Sequence, residues 1–157
     1  MGGHSLSTII YSPLKPLLLD FIRRLIEEDE EDPILGCWTF RCGSYSSICT
    51  FGAKKVAIEF GGLVFGYLAE DNPTALVPKH ACGHDFAIIE GRFLVDYWAY
   101  QVAEEVDRPV FDMYDPVDKS LVQCHYGDQE SWIPVDINEE DIFCLSVRRH
   151  NRKVDIS

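Results

Sequence analysis

His84 and Asp96 are the residues of this chain whose types and placement best suit chemistry. They lie in Gly83-His84-Asp85-Phe86-Ala87-Ile88-Ile89-Glu90-Gly91-Arg92-Phe93-Leu94-Val95-Asp96-Tyr97-Trp98. Two apolar runs flank Glu90-Gly91-Arg92, the pattern of a β-hairpin. The histidine opens the first strand. The aspartate interrupts the second, among Leu94, Val95, Tyr97 and Trp98, where a carboxylate costs free energy unless something pairs with it. A three-residue loop with Gly91 left-handed in a bulge pairs Ile89 with Phe93 and Phe86 with Asp96. His84 is then diagonal to Asp96 on the same face; a two-residue loop puts them on opposite faces. A histidine held by a carboxylate has a fixed tautomer and a supported imidazolium, which equips it to take a proton from a nucleophile. The plainer alternative is an ordinary strand-end histidine and an acid at a bulge or sheet edge.

The nucleophile must come from elsewhere. The chain carries six cysteines, Cys37, Cys42, Cys49, Cys82, Cys124 and Cys144. Residues 1–12 lack the basic start and apolar core of a signal peptide, so reduced thiols in a cytoplasmic protein are expected, most of them acting as small buried hydrophobes. Cys49 stands apart because it precedes a helical pattern. Apolar residues at Ala53, Val56, Ala57 and Phe60 have helical spacing, and Gly61-Gly62 supplies the stop. Cys49 falls at the helix start, with Ser46 or Ser47 as cap. There the helix dipole and the unpaired amides favour a thiolate and can stabilise an oxyanion. Cys37 is the rival: Gly36-Cys37-Trp38-Thr39-Phe40 resembles the Cys-Trp-x-Phe local signature of papain-type proteases. The residues after it, Thr39 to Ser47, read as a loop rather than the helix such a cysteine should begin.

The order of a cysteine at a helix start, a helix ending in Gly-Gly, a strand, then His on one strand and Asp on the next resembles the core of the papain-like superfamily. That superfamily includes NlpC-type amidases and transglutaminase-like proteins. The resemblance covers Cys49 to Trp98, and its closest local match is Gly83-His84-Asp85-Phe86 with Gly91-Arg92-Phe93-Leu94-Val95-Asp96. It implies a papain-like core with Cys49 as nucleophile, His84 as general base and Asp96 as the orienting group. Papain-type enzymes also place a Gln shortly before the cysteine to complete the oxyanion hole, and Arg41 to Ile48 contains none.

The elements that must position these groups fit one domain spanning residues 1–157. Ser12 and Pro13 start a helix over 13–27. Leu14, Leu17, Leu18, Phe21, Ile22, Leu25 and Ile26 form its apolar face. Glu27 to Asp32 are all acidic, opposing the dipole at a helix C-terminus, so this stretch is expected to fray into a solvated loop. The nucleophile helix covers 49–60. Residues 62–147 should be mostly sheet, largely antiparallel, with a short helix over Ala99–Val106, a loop at Asp112–Pro116, and strands at Leu121–Tyr126 and Asp141–Val147. The fold class is α+β.

Composition narrows the partners. A net charge of −12 argues against nucleic acid, whose binding is driven by Lys and Arg; Arg148, Arg149, Arg152 and Lys153 read as a solvated end. No run of 18 or more apolar residues suggests a membrane span. His80-Ala81-Cys82-Gly83-His84 and Cys124-His125 offer zinc-ligand types, but without a Cys-x-x-Cys pair, so a structural zinc is an alternative rather than the main reading, which needs no metal and no cofactor. The main reading is a cysteine-dependent amide hydrolase or acyltransferase acting on a peptide or other amide. Trp98 and Tyr97 are candidates to shape its pocket. A catalytically inactive papain-like interaction module is the other alternative.

Overall fold

A computed structural model describes residues 11–31 and 46–136. Cys37, Cys42 and Cys144, the 141–147 strand and the basic cluster at 148–153 lie outside the described residues.

Helix α1 spans Leu14–Glu31, and the Leu14 N–H donates to Ser12 Oγ at 3.2 Å, the expected cap. Leu18, Ile22 and Leu25 are buried and Leu17 is exposed, so the apolar face is narrower than the full set of periodic residues. The acidic end does not fray at Glu27; the helix runs on to Glu31. Arg23 donates to Asp20 at 2.6 Å and to Glu27 at 2.7 Å, and such i, i+3 and i, i+4 pairs support a helix. Glutamate's own helix propensity offsets the unfavourable dipole over the next turn.

Helix α2 spans Ser46–Phe60, so Cys49 is its fourth residue and Ser46 and Ser47 are inside it rather than ahead of it. Gly61 is left-handed (φ 69°), and the Gly62 N–H donates to Ala57 O at 2.8 Å. That is the Schellman ending the Gly-Gly pair supplies.

Among the described residues five antiparallel strands come next: β1 Leu63–Leu68, β2 Gly83–Ile89, β3 Phe93–Val95, β4 Val110–Asp112 and β5 Ile133–Val135, in the order β4-β3-β2-β1-β5. The hairpin has the three-residue loop, with Ile89 opposite Phe93 and both Glu90 (φ 54°) and Gly91 (φ 63°) left-handed. Strand alternation then sorts the side chains. His84, Phe86, Leu94, Phe65 and Tyr67 share one face; Asp85, Ile89, Phe93 and Gly66 share the other. Helices α1 and α2 cover the second face, joined by an edge-on contact of Phe21 and Phe60 at 5.5 Å.

The first face is covered by a helix where the sequence suggests a strand. Residues 121–126 belong to α3, Pro116–Tyr126, so the 62–147 region is less sheet-like than expected. Six residues are too few to separate helical from strand periodicity; the deciding signals lie further out. Asp115 caps the helix by accepting from the Val117 N–H at 2.9 Å, Pro116 occupies the first turn, and Gly127 (φ 66°) ends it. Asp118, Val122 and Tyr126, four residues apart, are its buried side. The expected helix after Trp98 is a single π turn, Trp98–Val102, and Asp112, read as loop, closes β4.

A buried ion pair fastens the far end of this assembly. Arg92, from the hairpin loop, makes two 2.8 Å bonds to the Asp112 carboxylate and lies over the Phe93 and Tyr114 rings. The Asp112 N–H donates to Asp118 Oδ2 at 2.8 Å, which ties β4 to α3. The hydrogen bond from Arg92 holds the Asp112 carboxyl below its ordinary range. A depressed folded value means stability present above the unfolded pKa, about 3.9 for Asp, and lost as pH falls through the folded value. Arg92→Met should therefore lower the urea midpoint clearly at pH 7, and the gap from wild type should narrow below about pH 4. A pH series of urea melts measures both.

Candidate functional site

Asp96 sits one residue beyond β3, where its N–H donates to Pro109 O at 2.8 Å. Its carboxylate is enclosed and takes three donors. Oδ2 accepts from His84 Nε2 at 2.5 Å and from the Tyr126 hydroxyl at 2.8 Å; Oδ1 accepts from the Ala99 N–H at 3.0 Å. His84 and Tyr126 are 0% exposed and Asp96 is 2% exposed. An ionised carboxylate can only accept, so Nε2 carries the proton of a neutral His84 and Nδ1 is the nitrogen at which the ring would act as a base. Aromatic rings wall the imidazole: Trp98 at 5.1 Å, Phe86 at 6.0 Å and Tyr126 at 6.1 Å, the last nearly parallel at 25°.

Two phenols lie next to the pair, and burial opposes the ionisation of both. Burial, and then the charge of Asp96, push Tyr126 well above the ordinary tyrosine range. Tyr67 lies directly across the β1–β2 ladder from His84 and donates its hydroxyl to Val77 O. Burial raises it as well, followed by the charges of Asp96, Glu105 and Cys49.

Cys49 is buried at the start of α2, within electrostatic reach of the Tyr67 hydroxyl. Its neighbour Thr50 donates to Asp85 Oδ2 at 2.5 Å, and both residues are 0% exposed. The residue after the cysteine is therefore bonded to the residue after the histidine, which fixes the helix start against the start of β2. Gly66 makes room for this link, because a Cβ there would collide with Asp85 Oδ1. His84 itself points to the α3 face of the sheet and Asp85 to the α2 face, as strand alternation requires. The structure thus joins His84 to Asp96 directly, and brings Cys49 to the same end of the sheet through its neighbour.

Sequence reasoning missed Tyr126, which it assigned to a strand, and the groups that hold it. Its carbonyl accepts from Asn72 Nδ2 at 2.7 Å and from Trp132 Nε1 at 3.0 Å. Gly127 lets Asn72 approach, because a Cβ there would collide with Asn72 Oδ1. No local pattern marks a tyrosine that reaches Asp96 across 30 residues of chain. Of the two pocket candidates, Trp98 lines a cavity of about 280 Å³ with Lys79, His80, Val102, Ala103 and Glu105, while Tyr97 is buried against Gly52 of α2. Cys82 and Cys124 are exposed, and among the described residues no three His, Cys, Asp or Glu side chains gather as metal ligands.

No family model, curated protein or solved structure matches the chain. No described helix is long and apolar enough to cross a membrane.

The Thr50–Asp85 link gives a stability prediction. Thr50→Val removes a hydrogen bond to a buried carboxylate and should cost about 1.5–3 kcal/mol in urea unfolding. Gly66→Ala, which must displace Asp85, should cost more.

Proposed function

We propose that this chain is a cysteine-dependent amide hydrolase or acyltransferase, with Cys49 as nucleophile, His84 as general base and acid, and Asp96 as the group that orients His84. The observation that carries the reading is the buried 2.5 Å bond between His84 Nε2 and Asp96 Oδ2. It is the arrangement that sets an imidazole tautomer and supports its charged form. The position of Cys49 in the first turn of α2 adds to it, since amides and dipole at a helix start favour a thiolate. The papain-like resemblance over Cys49 to Trp98 assigns the same three roles.

In the proposed reaction His84 Nδ1 takes the thiol proton and the Cys49 sulfur bonds to the amide carbonyl carbon. The tetrahedral intermediate collapses as His84 returns the proton to the leaving nitrogen and the C–N bond breaks. Water or an acceptor nucleophile then gives a proton to His84, attacks the thioester carbon, and the C–S bond breaks to restore the thiol. The substrate is a peptide or another amide.

One observation favours a second reading, a papain-like interaction module without catalysis: Cys49 is only 2% exposed and His84 0%. Brief treatment with iodoacetamide at pH about 6, below the ordinary thiol pKa near 8.5, with peptide mass spectrometry of the product, separates the two. The hydrolase reading expects Cys49 to label ahead of the exposed Cys82 and Cys124, and expects this lead to vanish in His84→Ala. Labelling of Cys82 and Cys124 first supports the module. First labelling of Cys37 moves the nucleophile there. In parallel, Cys49→Ala and Asp96→Asn should stay folded by circular dichroism while any amide-cleaving activity is lost.

A further inference from the structure

Asp96 uses one of its oxygens twice. Oδ2 accepts both the His84 Nε2 proton and the Tyr126 hydroxyl, while Oδ1 is occupied by the Ala99 N–H. Two donors on one oxygen draw on the same electron density, so a stronger bond from one weakens the bond from the other. We propose that Tyr126 is a positioning residue that sets the strength of the His84–Asp96 hydrogen bond through this shared oxygen. The proposal deepens the hydrolase reading and, for its catalytic meaning, rests on it.

Three features make Tyr126 suited to the task. Its ring stacks on the imidazole at 25°, so the two donors approach Oδ2 side by side. Its backbone is held by Asn72 and Trp132 on its carbonyl and by the helix end at Gly127, and its side chain is fully buried. Its phenol stays protonated, because burial and the Asp96 charge both oppose ionisation. Besides Asp96, Tyr67 from β1 and Glu105 after the π turn act electrostatically on Tyr126, and Cys49 from α2 acts on Tyr67. Tyr67 spends its hydroxyl on Val77 O, and the Glu105 carboxylate accepts from the Lys79 N–H. Tyr126 is therefore the side chain, other than His84, that donates to Oδ2 among the described residues.

The test is proton and nitrogen NMR of the intact chain with ¹⁵N-labelled histidine, tracking the His84 Nε2 nitrogen and its proton. Tyr126→Phe removes the competing donor, so the proton should move downfield. Replacing Tyr126 with 3-fluorotyrosine supplies a stronger donor of nearly the same size and should move it upfield. If Tyr126→Phe fails to fold, the fluorinated chain decides alone. Unchanged His84 resonances in a folded variant, or movement in the opposite sense, overturn the proposal, since a phenol that merely fills space would not shift the bond. Iodoacetamide labelling separates this from the hydrolase reading. Opposite NMR shifts with a sluggish Cys49 support Tyr126 and sink the hydrolase; a reactive Cys49 with unmoved resonances sinks only the role of Tyr126.

Discussion

A carboxylate cannot remain inside a protein without donors, and Asp96 is the point at which this chain meets that requirement. Burying a charge among apolar groups is expensive unless it is paired and hydrogen-bonded. The three donors to Asp96 come from three separate elements: His84 from β2, the Ala99 N–H from the π turn, and Tyr126 from α3. Each of these meets part of the buried carboxylate's need for donors. The hairpin loop length, the turn after Trp98 and the docking of α3 therefore all bear on one side chain.

The same logic governs the rest of the polar interior. Asp85 is satisfied in part by Thr50 and inserts where Gly66 has no side chain, which couples the start of α2 to β2. Asp112 is satisfied by Arg92, and Asp118 by the Asp112 N–H and Arg108, which couples the hairpin and β4 to α3. Buried acids thus sit where elements join, and each joint depends on a specific partner. An apolar core of this size would bind the same layers with less demand on register, because hydrophobic contact is non-directional. The acids make particular alignments costly to lose.

A site built this way is enclosed. Aromatic rings flank the imidazole, burial opposes ionisation of the phenols beside it, and Trp98, which packs near His84, also lines the cavity with Lys79, His80 and Glu105. A low-dielectric surrounding strengthens each hydrogen bond to the carboxylate. In the proposed chemistry such an environment would favour one imidazole tautomer.

Local sequence was enough for the parts whose physics is local. Apolar runs on either side of Glu90-Gly91-Arg92 specified the hairpin, and the three-residue loop put His84 and Asp96 on one face. Helical spacing and Gly61-Gly62 specified α2 and its end. Where two local tendencies opposed each other the outcome was not legible: the acidic end of α1 stayed helical because side-chain pairs and propensity outweighed the dipole. Residues 121–126 read as a strand because a six-residue window hides the helix that Asp115 and Pro116 begin. Tertiary structure alone decided that Tyr126 completes the Asp96 site, that Thr50 meets Asp85, and that Arg92 meets Asp112. These contacts join residues 20 to 35 positions apart. No periodicity or cap encodes them, because they exist only once the sheet and its two covering layers have closed on one another.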